Sequence, residues 1–280
     1  MQPFYSPNDS NTLAPNDRVE ETPPPTSGAL RLMLAAARPV QSPGKAMKTN
    51  DPIRAIAFDA FGTLFDVYSV AALAEQLFPG KGDALAGEWR LKQIEYSFLR
   101  TLSGRYKPFL EVTEDALVFA AKKLGLALGD GQRRQLMNQY ACLSPFPENL
   151  SALKELRALG LPMAILSNGT PGMLDVAIKS AGMNGLFDHV LSVEAVRQYK
   201  TADAAYRMGP EAFGCPARQI LFVSSNGWDA AGATWFGYTT FWINRAQQPR
   251  EELDVTPTAT GQRLTDVVEF VRRRSGASPR

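Results

Sequence analysis

The sequence predicts an α/β protein: a parallel sheet covered by helices on both faces, with an all-helical insertion after its first strand. Three observations carry this. Short apolar runs alternate with helical stretches from residue 162 to residue 243, the pattern of repeated strand–helix units. Four successive helical stretches between residues 69 and 142 contain no strand signal. A lone apolar run, 53–58, precedes them and ends in a carboxylate, Asp59. A chain of 280 residues can bury a sizeable core, as one domain or two.

Residues 1–50 differ from the rest. They carry eight prolines (Pro3, Pro7, Pro15, Pro23, Pro24, Pro25, Pro39 and Pro43), many small polar residues and one short apolar run, 30–37. That run is too short and too far along the chain for a standard secretory signal. The segment reads as a disordered N-terminal extension. A natural start at Met47 and a cryptic targeting role are the other readings.

From residue 53 the elements follow in order. Residues 53–58, apolar with isoleucines at 53 and 56, form a buried strand. Helices are expected at 69–77, 87–102, 113–124 and 131–142, with Thr113 as an N-cap and Gly125 as a C-cap. Pro147 can open the next helix at its first turn, and that helix stops at Gly160. Strands at 162–167, 189–192, 219–224 and 239–243 then alternate with helices at 171–181, 202–213 and 228–236. The chain therefore divides into a core segment at 51–66, a helical insertion at 67–145, an α/β core at 146–275 and a disordered tail at 276–280. Crossovers in such a sheet are right-handed, and ligands bind beyond the carboxyl ends of its strands. Asp59, Ser167 and Ser224 all stand at predicted strand ends, so they should meet at one edge.

Composition excludes several classes of function. Apolar residues make up 45% of the chain and charged residues 21%, ordinary for a globular protein. A net charge of +2 gives no electrostatic case for nucleic acid or anionic membrane. No apolar run reaches membrane-spanning length. Cys142 and Cys215 form no ligand cluster and read as buried small residues or idle thiols, a usage compatible with a reducing cytosol. The one histidine, His189, has no serine elbow nearby, so a serine–histidine hydrolase is excluded and a packing role at a strand edge is expected.

The most informative stretch is Ile56-Ala57-Phe58-Asp59-Ala60-Phe61-Gly62-Thr63-Leu64-Phe65-Asp66. A carboxylate at the tip of a buried strand is costly, because burial disfavours its charged form. The segment resembles motif I of the haloacid dehalogenase superfamily. Phosphatases of that superfamily read D-x-D-G-T, with the second aspartate as general acid, whereas Phe61 stands there in this chain. D-A-F-G-T-L-F-D is similar to the (S)-2-haloacid dehalogenase branch. The resemblance continues, in the family's order, at Trp89-Arg90, Leu166-Ser167-Asn168-Gly169, Tyr199-Lys200 and Phe222-Val223-Ser224-Ser225-Asn226-Gly227-Trp228-Asp229. It covers residues 53–245.

The resemblance implies a Rossmann-like core of the haloacid dehalogenase type, with the insertion as a cap domain. It implies Asp59 as a nucleophile that displaces halide from C2 of a 2-haloacid and becomes an ester. Thr63 would orient that carboxylate, and Lys200 would keep it ionised. Thr201 follows Lys200 where proline is common in the family. Arg90 would receive the halide with help from Asn168, although nothing in the sequence ranks it above Arg100 or Arg105. Ser167 and Asn168, just before a helix opened by Thr170-Pro171, would hold the substrate carboxylate. Asp229 would activate the hydrolytic water, Ser224 and Asn226 would orient Asp229 and Lys200, and Tyr206 would order the site. Phe61, Leu91, Ile94, Phe109 and Trp228 would wall the pocket, with Phe61 and Leu91 less polar than the family's usual tyrosine and glutamine.

Ser225 occupies the position where phosphatases anchor magnesium, and serine cannot replace a carboxylate there. No metal or organic cofactor is expected. A small 2-haloacid and water are the expected partners, with a cytoplasmic homodimer pairing through the cap helices. Two alternatives stay open at this point: a magnesium-dependent phosphatase or phosphonatase of the same fold, and a catalytically silent binding protein.

Overall fold

The computed structural model describes residues 51–274. The expected N-terminal extension, the alternative start at Met47 and the tail 276–280 lie outside the described residues. Six parallel strands form one sheet: β1 (Ala55–Phe58), β2 (Met163–Ser167), β3 (His189–Ser192), β4 (Ile220–Ser224), β5 (Thr239–Ile243) and β6 (Ala259–Gly261). Their order is β3-β2-β1-β4-β5-β6. β1 is central, with Phe58 registered against Ile165 of β2 and Val223 of β4. Every residue of β1, β2, β4 and β5 is buried. Successive side chains of β1 divide between two apolar layers, Ile56 and Phe58 on one face and Ala55 and Ala57 on the other. Helices cover these faces, which is why the strands read as continuous apolar runs.

Between β1 and β2 come α1 (Ala71–Leu77), α2 (Gly82–Leu102), α3 (Phe109–Lys123) and α4 (Asp130–Ala141), with no strand among them. The two ends of this insertion meet. Phe65 bridges Pro145, and the Asp66 amide donates to the Ser144 carbonyl at 2.8 Å. α2 packs along α3, and the buried Trp89 indole donates to the Thr113 carbonyl at 2.7 Å. The rest of the sheet is built through α5 (Asn149–Ala158), α6 (Pro171–Ser180), α7 (Asp203–Phe213), α8 (Gly227–Phe236) and α9 (Leu264–Arg274).

Several expectations need correction. Thr113 is not an N-cap: α3 begins one turn earlier, after Pro108, because Phe109 and Val112 add buried apolar surface there. The Thr113 hydroxyl instead donates to the Phe109 carbonyl within the helix. Pro147 lies two residues ahead of α5, whose first residue, Asn149, donates to the carbonyls of Thr63 and Leu64. α2 starts at Gly82 rather than residue 87, and Gly87 is accommodated inside it. β6 and α9 were not foreseen. α9 buries Leu264, Val267, Val268 and Val271, an i, i+3, i+4, i+7 stripe.

His189 opens the edge strand β3 and sets its ring edge-on to Phe213, as expected. Cys215 is buried and Cys142 exposed. Among the described residues no helix is long and apolar enough to cross a membrane.

Candidate active site

Asp59 is the first residue beyond β1, and its amide donates to the Val223 carbonyl at 2.9 Å. Gly62, at φ +96°, turns the chain back so that Thr63 faces Asp59. The Thr63 hydroxyl accepts from the Ser225 amide at 2.8 Å and donates to Asp59 Oδ2 at 2.8 Å. Asn226 Nδ2 donates to the same oxygen at 2.9 Å, and Lys200 Nζ donates to Oδ1 at 3.1 Å. The carboxylate is almost fully buried yet has a donor on each oxygen.

Lys200 comes from the loop after β3, and the peptide joining it to Thr201 is cis. Its amide donates to Asn168 Oδ1 at 3.0 Å. Its ammonium, fully buried, bridges Asp59 and Asp229 Oδ2, the latter at 3.0 Å. Burial pulls the ammonium pKa down, but Asp229 and then Asp59 more than reverse that, so it stands above the usual lysine value.

Asp229 sits in the first turn of α8, where the helix dipole favours a carboxylate. Burial pushes its pKa up to about 6, and the charge of Asp59 adds to the rise, against Lys200 and Tyr206, which lower it. Tyr206 from α7 donates its hydroxyl to Asp229 Oδ1 at 2.7 Å.

Arg90 projects from α2 across the pocket from the sheet edge. Its Nη1 donates to Gln93 Oε1 at 2.8 Å, and its Nη2 donates to the Phe61 carbonyl at 3.1 Å and Asn226 Oδ1 at 3.0 Å. Arg90 is 8% exposed, and these three acceptors are all neutral. Among the described residues no carboxylate lies within ion-pair distance of it. A buried, unpaired cation is electrostatically expensive, and an anion entering the pocket would relieve it.

The pocket is narrow, with about 20 Å³ open to the centre of a water-sized sphere. Asp59, Ser167, Asn168, Asn226 and Trp228 line its floor from the carboxyl ends of the strands; Arg90, Ile94, Ser97, Phe98 and Phe109 line its roof from the insertion, and Phe61 joins the wall. The ring of Phe61 stacks on Tyr140 at 5.7 Å and lies 5.8 Å from Phe109. Thr170 caps α6 by accepting from the Met173 amide, and Pro171 opens the helix. Ser167 Oγ accepts from the Gly169 amide at 3.1 Å.

The structure therefore brings the sequence-predicted residues together at one edge, with two corrections. Leu91 does not line this pocket: it is 66% exposed and faces an outer groove. One step along a helix rotates a side chain by about 100°, which carries Leu91 out of this pocket to a groove that Arg90 also borders. The side chains of Ser224 and Asn226 make no hydrogen bond to Asp229 or Lys200. Asn226 links Arg90 to Asp59, and Ser224 Oγ accepts from the Asn226 amide at 3.2 Å.

Sequence reasoning missed Gln93, Ser97, Phe98 and Arg245. Gln93 and Ser97 lie three and seven residues after Arg90, a helical spacing that could have found them. Arg245 had no such signal. Its Nη1 donates to Ser225 Oγ at 2.6 Å and its Nη2 to Glu148 Oε1 at 3.0 Å. Among the described residues no group of three or more His, Cys, Asp or Glu could hold a metal ion.

Residues 53–237 match the family described as haloacid dehalogenase-like hydrolase. The chain is 45% identical over 226 residues to the (S)-2-haloacid dehalogenase of Pseudomonas sp. (strain YL), covering 81% of this chain and 97% of that relative. It is 43% identical to haloacetate dehalogenase H-2 of Moraxella sp. (strain B), covering 78% of this chain and 98% of the relative. Among solved structures, the L-2-haloacid dehalogenase RSc1362 is 63% identical with a TM-score of 0.78, covering 79% of this chain and 99% of that one. The L-2-haloacid dehalogenase from Xanthobacter autotrophicus with chloropropionic acid covalently bound is 36% identical with a TM-score of 0.75, covering 79% of this chain and 98% of that one. With this family match and relatives spanned almost end to end, the chain belongs to the haloacid dehalogenase-like hydrolases, in their (S)-2-haloacid dehalogenase branch.

Proposed function

We propose that the protein hydrolyses (S)-2-haloacids to (R)-2-hydroxy acids and halide through an ester on Asp59. One observation carries the reading: a buried carboxylate and a buried, unpaired guanidinium line one pocket, joined through Asn226. In the first step an Asp59 oxygen attacks C2 and the carbon–halogen bond breaks. The halide leaves with the bonding electrons toward Arg90, whose weakly hydrated guanidinium suits a large anion. Attack from the side opposite the halogen inverts C2. Ser167 and Asn168 hold the substrate carboxylate at the floor of the pocket, which fixes C2 for in-line displacement.

In the second step water attacks the Asp59 ester carbonyl. Asp229 takes a proton from the water and passes it to the leaving oxygen as the acyl carbon–oxygen bond breaks, so the hydroxy acid departs with an oxygen that began on Asp59, and the other water proton is lost to solvent as Asp59 ionises again. A base with a pKa near 6 is ionised at neutral pH and still accepts a proton readily. Tyr206 orients that base, and Thr63, Lys200 and Asn226 orient the nucleophile. The steps assign no metal or organic cofactor. The proposal extends to residues 67–145 as the cap, to a homodimer formed through the cap helices, and to a cytoplasmic location.

One turnover with excess enzyme in heavy-oxygen water tests the ester. The label is expected on Asp59, with little in the first-turnover hydroxy acid. Label in the hydroxy acid and none on Asp59 would mean that water attacks C2 directly.

A further inference from the structure

The partner of Arg90 on its own helix is Gln93, one turn along α2 and 1% exposed. Gln93 Oε1 accepts from Arg90 Nη1 at 2.8 Å and from the Tyr140 hydroxyl at 3.1 Å. Gln93 Nε2 donates to Thr113 Oγ1 at 2.7 Å. The Thr113 hydroxyl donates to the Phe109 carbonyl at 2.7 Å, so toward Gln93 it can only accept. This polarity fixes the amide orientation: the NH₂ must face Thr113 and the oxygen must face Arg90. A flipped amide would set its NH₂ against the guanidinium. Arg90 is thus held from behind by an acceptor that carries no charge, in a layer closed by Tyr140 and Trp89, whose rings are 5.1 Å apart.

We propose that Gln93 is a positioning residue for the halide step, fixing Arg90 through a neutral acceptor so that its charge stays unpaired and available to the departing anion. A carboxylate at the same place would hold the guanidinium equally well in space. It would also neutralise it, removing the attraction that a halide needs. The choice of amide over acid at position 93 is therefore functional, and it rests on the reading of Arg90 as the halide-receiving group.

The test uses the full chain with Gln93→Glu and Gln93→Met. Turnover is measured on (S)-2-chloropropionate and (S)-2-bromopropionate, with product inhibition by chloride and bromide and thermal unfolding of each variant. Gln93→Glu is expected to lower kcat/KM for the chloro substrate on the order of a hundredfold, the scale of losing one preorganised stabilising group. The loss should be smaller for the bromo substrate, whose leaving anion is more diffuse, and halide inhibition should weaken. Gln93→Met keeps the charge and loses the anchor, so kcat per active site should fall about tenfold while halide inhibition persists. An equal loss on both substrates with halide inhibition intact in Gln93→Glu would overturn the proposal, since that is what simple misfolding gives. Should Gln93→Glu fail to fold, wild-type kcat per active site in Gln93→Met overturns it alone. No halide release by the wild type, or undiminished release by Arg90→Leu, would instead defeat the underlying reading of the site, whatever Gln93 does.

Discussion

Lys200→Met separates charge from packing in the most heavily buried part of the site. Methionine fills much of the volume of the lysine stem, so little cavity forms. What it removes is the ammonium that donates to Asp59 at 3.1 Å and Asp229 at 3.0 Å, with no exposure to solvent. Two carboxylates then share a dry site without their shared cation. Breaking a buried ion pair in this way costs about 3–5 kcal/mol. The cost depends on pH with a definite sign. Asp229 already stands at about 6 with Lys200 present, and losing that lowering charge raises it further. The folded variant then holds more protons than the unfolded chain from about pH 4 up to the raised value, so its stability falls as pH rises through that window. Urea unfolding of wild type and variant at pH 5 and pH 8 reads this directly. The deficit should approach the full value at pH 8 and shrink at pH 5, and haloacid turnover should vanish at both. An equal deficit at the two pH values would refute the argument, because lost packing does not titrate.

Three further outcomes follow from the geometry. Single-turnover ester hydrolysis should fall as pH drops below about 6, with a midpoint under that of the free enzyme because the ester has discharged Asp59, so that the Asp59 ester accumulates at the acid end; a rate constant unchanged from pH 4 to pH 8 would remove Asp229 as the base. A Cβ at Gly169 would lie 2.5 Å from Phe61 Cε2, so Gly169→Ala must push that ring from its place; kcat/KM should drop about tenfold with a stability loss of roughly 1–3 kcal/mol, and wild-type kcat/KM would show that the ring position is immaterial. Ser225→Asp should pair with Arg245, which already donates to Ser225 at 2.6 Å; magnesium-dependent hydrolysis of p-nitrophenyl phosphate by this variant would contradict that.

The parts of the molecule legible in the sequence are those where one residue's environment follows from its own neighbours. β3 and β5 fall where the apolar runs place them, and the other core strands differ only at their starts. The sheet-edge meeting of Asp59, Ser167 and Ser224 follows from strand ends alone. The failures arise where tertiary partners decide. Thr113 has the residue type of a cap, but its hydroxyl serves Gln93 and Phe109 inside a longer helix. β6 has three residues, too few for a periodic signal. Leu91 follows Arg90 in sequence, but one helical step leaves it exposed and outside the pocket. Asn226 serves Asp59 rather than Asp229, and the Ser224 hydroxyl serves the Asn226 amide, because the motif fixes their loop and not the direction in which each side chain points. Arg245 reaches Ser225 from beyond β5, a pairing that neither motif nor spacing announces.

The distribution of charge in the site explains why its chemistry differs from that of phosphatases on the same core. Asp59, Asp229, Lys200 and Arg90 are all buried, and their formal charges sum to zero. They are not evenly paired. Lys200 touches both carboxylates, which leaves Arg90 with neutral partners only. In the proposed reaction, ester formation discharges Asp59 and delivers a negative charge to the halide beside Arg90. The charge thus crosses the pocket to the cation that lacked a partner, while Lys200 keeps Asp229 as its remaining counterion. Esterification also removes the nearby negative charge that helped raise Asp229, which favours the ionised base as the second step begins. A phosphoryl substrate would bring more negative charge than one free guanidinium balances. The position that could anchor a compensating cation is Ser225, and it already faces Arg245, itself paired with Glu148 at 3.0 Å. A cation arriving there would meet a guanidinium before it met a ligand. Restoring an acid at position 225 therefore leaves the electrostatics unchanged in kind, and only a joint change at Arg245 and Phe61 would open this core to phosphoryl chemistry.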